Sequence, residues 1–289
     1  MTTQAAGLLV LFTFLIVAAV AHAKTMDMSC MAVDDQFVGC EHHMMQEVMD
    51  PQGLLVKELK ESKGFKEEWK SITHGKGNLT QQHVQALEAY SSDTKFRRMF
   101  NEAVERQGLN ISTYHRNFTY KSLHFLLTDT LRILRQGCHM VYRGSETKYH
   151  AKVGSEVRFG RFTAVVTKKS EAEESGIDGT VFVINSCSAV KIEDYVRKTS
   201  EISWLVAPFE QFNVTRVRDT DDHTEITLDH QSFHSFHNCS MFSLAISRPP
   251  PRDFPPRRDH NSSGSAVTFS APLTLCLCAS LWVPTKLFV

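Results

Sequence analysis

The stretch "KSLHFLLTDTLRILRQGCHMVYRG", residues 121–144, changes its period in the middle. Leu123, Leu126, Leu127, Leu131 and Leu134 fall on one helical stripe, and Gly137 suits a helix stop. After Cys138, "HMVYRG" reads as a strand. Upstream, the helical pattern extends back to about Asp50. Downstream, to about Leu228, come the β-like runs "EVRFGRFTAVVT", "GTVFVINSC", "SWLVA", "FEQFNVTRV" and "HTEITLD". Helices first and strands after predict an α+β domain rather than alternating βαβ units. No internal repeat is apparent.

The chain has 289 residues, 42% of them hydrophobic, and its 32 basic side chains balance 32 acidic ones. That length supports one large core, and the zero net charge gives no electrostatic case for nucleic acid. Gly7 to Val20 is apolar except for Thr13, and Ala21-His22-Ala23 has the small-x-small form of a cleavage site. Residues 1–23 are expected to be a secretory signal, with an uncleaved anchor as the competing reading. Residues 24–247 form the mature domain. Residues 248–263, containing "RPPPRDFPPRRDH", read as an extended Pro-rich stalk. Small residues from Ser262 to Ala266 precede a mostly apolar tail from Ala271 onward, and nothing polar follows it. Residues 264–289 therefore read as a GPI-attachment signal that is removed, with attachment at Ser263 or Gly264. Pro272, Pro284 and Lys286 make the tail a poor spanning helix, although a retained tail anchor stays open. Sequons at Asn78, Asn110, Asn117, Asn213, Asn238 and Asn261 agree with export and require those positions to be exposed. The expected location is the extracellular face of the plasma membrane, with a secreted form as a further possibility.

Of seven cysteines, Cys276 and Cys278 lie in the tail; Cys30, Cys40, Cys138, Cys187 and Cys239 belong to the mature chain. Four of these five should pair in an oxidising compartment, in a connectivity that spacing leaves open. No C-x-x-C pair or finger-spaced histidines support a metal site. The adjacent His42 and His43 in "EHHMM" read as a solvated helix start. There is no Walker loop, G-x-G-x-x-G or G-x-S-x-G. The one chemical signal is Arg143 at a strand end beside Gly144. An arginine there can grip a phosphate through two parallel hydrogen bonds, and a glycine lets a ligand approach the backbone. On this feature alone a plain surface arginine is the stronger reading.

The stretches "AVDDQFVGC", "FTYKSLHFLLTDTLRILR", "VYRG", "VRFGRF", "TVFVINSCSAV" and "APFEQFNV" together resemble the vertebrate ecto-mono-ADP-ribosyltransferases, from about Ala32 to Cys239. These are GPI-anchored enzymes that transfer ADP-ribose from NAD or NADP to arginine side chains. The resemblance implies the toxin-like α+β transferase fold, with a helical N-terminal half and NAD in a cleft of the β-rich half. It implies disulfides Cys40–Cys239 and Cys138–Cys187, which leaves Cys30 unassigned. It implies NAD as a substrate, no metal, and protein acceptors bearing arginine. Arg143 would hold the pyrophosphate beside Gly144, and Phe159 and Lys198 (or Arg197) would contact the dinucleotide. Breaking the bond from nicotinamide to ribose develops positive charge on the sugar, so a carboxylate facing it stabilises the transition state selectively.

The chain departs from the family at the residues that matter most. After Phe159-Gly160-Arg161-Phe162 the serine-rich triplet is replaced by Ala164-Val165-Val166. In "TSEISWLVAPFEQFNVTRV", counting back from Pro208-Phe209-Glu210 puts Ser203 at the catalytic glutamate and Glu201 at the position that orients the acceptor. Glu210 itself reads as a strand residue. The catalytic set is thus Arg143, Glu201 and Ser203, and the expected activity is weakened arginine ADP-ribosylation. The alternatives are a catalytically inactive surface glycoprotein and an NAD glycohydrolase.

Overall fold

The computed structural model describes residues 23–72, 74–197 and 202–242. The expected leader up to residue 22, the stalk, the anchor signal, Asn261, Glu201 and Lys198 lie outside the described residues. The helices are α1 Glu41–Met49, α2 Leu54–Glu61, α3 Lys63–Glu68, α4 Gln81–Ser92, α5 Thr94–Arg106, α6 Ile111–Asn117, α7 Lys121–Leu134 and α8 Lys169–Ser175. The strands are β1 Lys24–Thr25, β2 His139–Ser145, β3 Tyr149–His150, β4 Glu156–Val157, β5 Thr163–Val165, β6 Thr180–Ser186, β7 Val190–Lys191, β8 Trp204–Val206, β9 Glu210–Asp219 and β10 Thr224–Phe233. Apart from β1 at the start and α8 among the strands, helices precede strands, as the change of period at Gly137 predicts, and the glycine takes a positive φ of 85° just after α7. No helix among the described residues is long and apolar enough to cross a membrane.

The chain divides into two compact units. One holds the segment Ser29–Thr130, with the six helices α1 to α6 and most of α7. Its core is aromatic: Phe65, Phe96, Phe100 and Tyr120 pack in stacked and edge-on pairs with centroids 5.7–6.0 Å apart. Helix starts are capped as their sequences dictate. Thr80 and His83 form a reciprocal capping box at α4, Asp93 caps α5 and Asn110 caps α6. The buried Glu58 caps α7, accepting from the amides of Lys121 at 2.6 Å and Ser122 at 2.9 Å and from the Ser122 hydroxyl. Asp34 and Asp35 of "AVDDQFVGC" are fully buried. Asp34 accepts from the Phe236 and His237 amides at 3.0–3.2 Å, and Asp35 from the amides of Phe37 at 2.9 Å and Cys239 at 2.8 Å. The Cys40–Cys239 disulfide fastens the same junction.

The other unit comprises the sheets. Five strands run in the order β2-β6-β10-β9-β4, with β6 and β10 parallel and the other neighbours antiparallel. Three more run in the order β5-β8-β7. Val141, Phe182, Ile184, Phe212, Val214, Ile226 and Leu228 form the apolar core of the unit. The run "EVRFGRFTAVVT", expected as one strand, is broken into β4 and β5. Gly160 sits between them at φ 65°, a backbone geometry that no pleated strand can carry. Arg158, just before the break, is fully buried and donates through Nε to the Met28 carbonyl at 2.7 Å. The Cys138–Cys187 disulfide links the start of β2 to the end of β6. The two described disulfides take up Cys40, Cys239, Cys138 and Cys187 in the pairing that the resemblance implies.

Candidate active site

Backbone register brings the candidate residues of the sheet unit together. Strand β2 pairs with β6 along one edge, with Arg143 opposite Phe182. Its other edge meets the chain just past β5 at one bridge, where Tyr142 and Val166 exchange two hydrogen bonds of 2.8 Å. Strands β5 and β8 are antiparallel, with Val165 opposite Trp204. One further step in that register sets Val166 across from Ser203. The three positions 143, 166 and 203, far apart in sequence, therefore converge where the two sheets meet.

A cleft of about 410 Å³ opens at this point, lined by Val166, Lys168, Glu171, Lys191, Glu193 and Ser203, among others. Arg143 sits half-buried on β2, its NH1 donating to the Ala164 carbonyl at 2.9 Å. That bond fixes the direction of the guanidinium. Ser203 accepts through its backbone carbonyl from the amides of Ile192 at 2.8 Å and Glu193 at 3.2 Å. The charges of the rim are paired: Lys168 with Glu171 at 3.2 Å, and Lys191 with Glu193 at 2.7 Å and Asp194 at 3.3 Å. The hydrogen bond to Glu193, and then that to Asp194, holds the Lys191 ammonium above its ordinary range.

Two expected ligand contacts take a different place. A Cβ at Gly144 would come within 2.0 Å of the Ala172 carbonyl and 2.4 Å of the Ser175 hydroxyl. The glycine is needed because α8 lies directly on β2, and the space is not open to a ligand. Phe159 is 7% exposed and packs edge-on against Phe182 at 5.4 Å and Phe212 at 5.9 Å, inside the core rather than at the cleft. An aromatic residue bounded by strand sequence on both sides offers no signal that separates these alternatives.

Glu210 is a buried anchor of the sheet. Its carboxylate accepts from the Ser186 and Ser188 hydroxyls at 2.5 Å, the Cys187 amide at 2.6 Å, the Ser188 amide at 3.2 Å and His230 Nδ1 at 2.7 Å. These bonds close the turn from β6 to β7 onto β9 and β10. Cys187, Glu210 and His230 place ligand atoms within 4.8 Å of one another, but the Cys187 sulfur is committed to its disulfide. The donor set does not suit a metal, because a ligating cysteine must be a thiolate.

A family model described as NAD:arginine ADP-ribosyltransferase matches residues 26–235. The chain is 34% identical over 231 residues to the erythroblast NAD(P)(+)–arginine ADP-ribosyltransferase of Gallus gallus, a match covering 75% of each chain. It is 30% identical over 235 residues to the GPI-linked NAD(P)(+)–arginine ADP-ribosyltransferase 1 of Mus musculus, covering 74% of this chain and 72% of that one. Among solved structures, a mutant of the eukaryotic mono-ADP-ribosyltransferase ART2.2 in complex with NADH superposes with a TM-score of 0.54 at 30% identity. That match covers 75% of this chain and 98% of the other.

Proposed function

Because the chain belongs to the NAD:arginine ADP-ribosyltransferase family, we propose that it transfers ADP-ribose from NAD to arginine side chains of proteins at the cell surface. The observation that carries this reading is that strand register brings Arg143 beside Val166 and Ser203, the last two of which line one open cleft. NAD is the substrate, and no step calls for a metal. Arg143, aimed by its bond to the Ala164 carbonyl, binds the pyrophosphate as a planar cation with paired donors. Fixing the phosphates fixes the ribose, so the scissile bond lies against the cleft wall formed by Val166 and Ser203. Glu201, two residues before Ser203, orients the incoming guanidinium, and Lys198 adds a positive charge near the phosphates. The chain is exported by residues 1–23, and residues 264–289 are exchanged for a GPI anchor, as the sequence pattern and the GPI-linked mouse relative suggest.

The activity is attenuated. A serine hydroxyl supplies no charge to face the ribosyl cation, and a valine removes the hydroxyl expected beside it. Loss of one preorganised electrostatic group costs about 10²–10³ in rate. The same two residues favour a second reading, a surface glycoprotein that binds NAD without transferring it, or one that hydrolyses it. The relative that holds NADH is itself a mutant, so an altered side chain on this fold is compatible with dinucleotide binding. The test is incubation of the purified ectodomain with labelled NAD and agmatine, with calorimetry of NAD alone alongside. Label on agmatine supports transfer. Free nicotinamide without label supports hydrolysis. Binding with neither product supports display, and absence of binding refutes all three.

A further inference from the structure

The cleft contains a carboxylate that the family comparison does not point to. Among the described residues lining it, the carboxylates are Glu171 and Glu193. They are held differently. Glu171 lies on α8 and pairs with Lys168. Glu193 lies two residues past β7, in the turn closed by the Tyr195 amide on the Ile192 carbonyl at 2.9 Å. The amides of Ile192 and Glu193 both donate to the single carbonyl of Ser203. The pairing of β7 with β8 ends at Lys191 opposite Trp204, so this shared acceptor anchors the turn by which the chain leaves the strand. It ties the backbone of Glu193 directly to the residue that lacks the expected charge.

The local charge supports the same reading. Lys191 is shared between Glu193 and Asp194, so one ammonium serves both carboxylates. Lys168 and Glu171 cancel. The Glu193 side chain is 46% exposed, within reach of a ligand entering from solvent.

We propose that Glu193, held by a turn whose amide bonds the Ser203 carbonyl and lining the same cleft, is the carboxylate that faces the ribosyl cation in this chain. The assignment rests on the transferase reading above. In the reaction, the bond from ribose C1′ to the nicotinamide nitrogen breaks and its electron pair leaves on nicotinamide. A guanidinium nitrogen of the acceptor bonds to C1′ and gives up one proton to water. Glu193 stays ionised throughout and stabilises the positive charge on the ribose between the two events.

The test uses the whole mature ectodomain with labelled NAD and agmatine, and calorimetry of NAD binding in parallel. Glu193→Gln is expected to lower kcat about 10²–10³-fold, the range for loss of one such charge, with NAD affinity held within about twofold. Glu193→Asp should recover part of the loss. Glu173→Gln on the outer part of α8 serves as a control for surface charge. In the Ser203→Glu background the Glu193→Gln effect should shrink to less than about threefold, because the two carboxylates would serve one role. Unchanged kcat in Glu193→Gln overturns the assignment, as does a wild-type chain that binds NAD and transfers nothing. A wild-type chain that fails to bind NAD sinks the transferase reading itself, which the calorimetry separates from failure of Glu193 alone.

Discussion

Tyr142 and Val166 exchange both of their backbone hydrogen bonds, each 2.8 Å long, and this bridge holds the Arg143 strand against the wall of the cleft. The side chain of Val166 takes no part in that bonding, so a serine fits there without loss of the bridge. Val166→Ser combined with Ser203→Glu is expected to raise transfer to agmatine by about 10²-fold or more, since it restores a hydroxyl and a charge at preorganised positions. Initial rates with labelled NAD check this. A double variant no faster than wild type would mean that the wall does not face the ribose.

Arg143→Ala should weaken NAD binding by about 10–100-fold, the range for a hydrogen bond to a charged group. Arg143→Lys should restore little, because a point charge cannot reproduce two parallel donors. Titration calorimetry gives both constants. Equal affinity in all three proteins would remove Arg143 from the cofactor site.

Glu210→Ala should cost about 3–5 kcal/mol of stability. Five donors aimed at the carboxylate lose their acceptor inside the sheet unit. The measurement is a urea titration compared with wild type. A loss below about 1 kcal/mol would show that water replaces the carboxylate at no cost.

Glu58 gives a pH signature. Burial pushes its carboxyl up from 4.5 to about 7, and the hydrogen bonds from Ser122 and Lys121 offset only part of that. The folded pKa lies above the unfolded one, so the folded chain binds the extra proton. The contribution is fully present below about pH 4.5 and is lost as pH rises through about 7. Between pH 5 and 8 the wild type should lose roughly 2–3 kcal/mol relative to Glu58→Gln. His124 titrates in the opposite sense, since burial holds it at about 4 in the folded chain, but it is common to both proteins and cancels. Parallel stability profiles for the two proteins would contradict the assignment.

Asn238 should carry no glycan. Its carboxamide accepts from the Val38 amide at 2.9 Å and donates to the Val38 carbonyl at 3.0 Å, beside the disulfide at Cys239. A sugar on Nδ2 displaces the hydrogen that makes the second bond. Asn78 and Asn110 are exposed, and the Asn110 cap uses its oxygen, which a glycan leaves in place. Glycopeptide mass spectrometry after deglycosylation in heavy-oxygen water should label Asn78 and Asn110 and spare Asn238. Label at Asn238 in the folded protein would show that the clamp opens.

The order of helices and strands was legible because leucine spacing and β-branched runs are local signals. The convergence on Val166 and Ser203 was half legible: the family motifs named the positions, but only strand register shows them facing one cleft. Three features left no local trace. The break at Gly160 looks like any glycine in a strand until its φ is known. The charged "KSEAEES" of α8 carries no apolar period, yet it is the element that requires glycine at 144. The turn at Glu193 depends on which carbonyl two amides choose, and sequence does not encode that choice in composition.

The Cys40–Cys239 bond closes a covalent ring across 199 positions of chain. A single protease cut anywhere inside that ring therefore releases nothing: both pieces stay joined, and the nicked molecule runs at full mass until a reductant is added. Shedding by one such cut requires reduction as well, so the redox state of the surroundings, and not protease access alone, decides whether a clipped molecule departs.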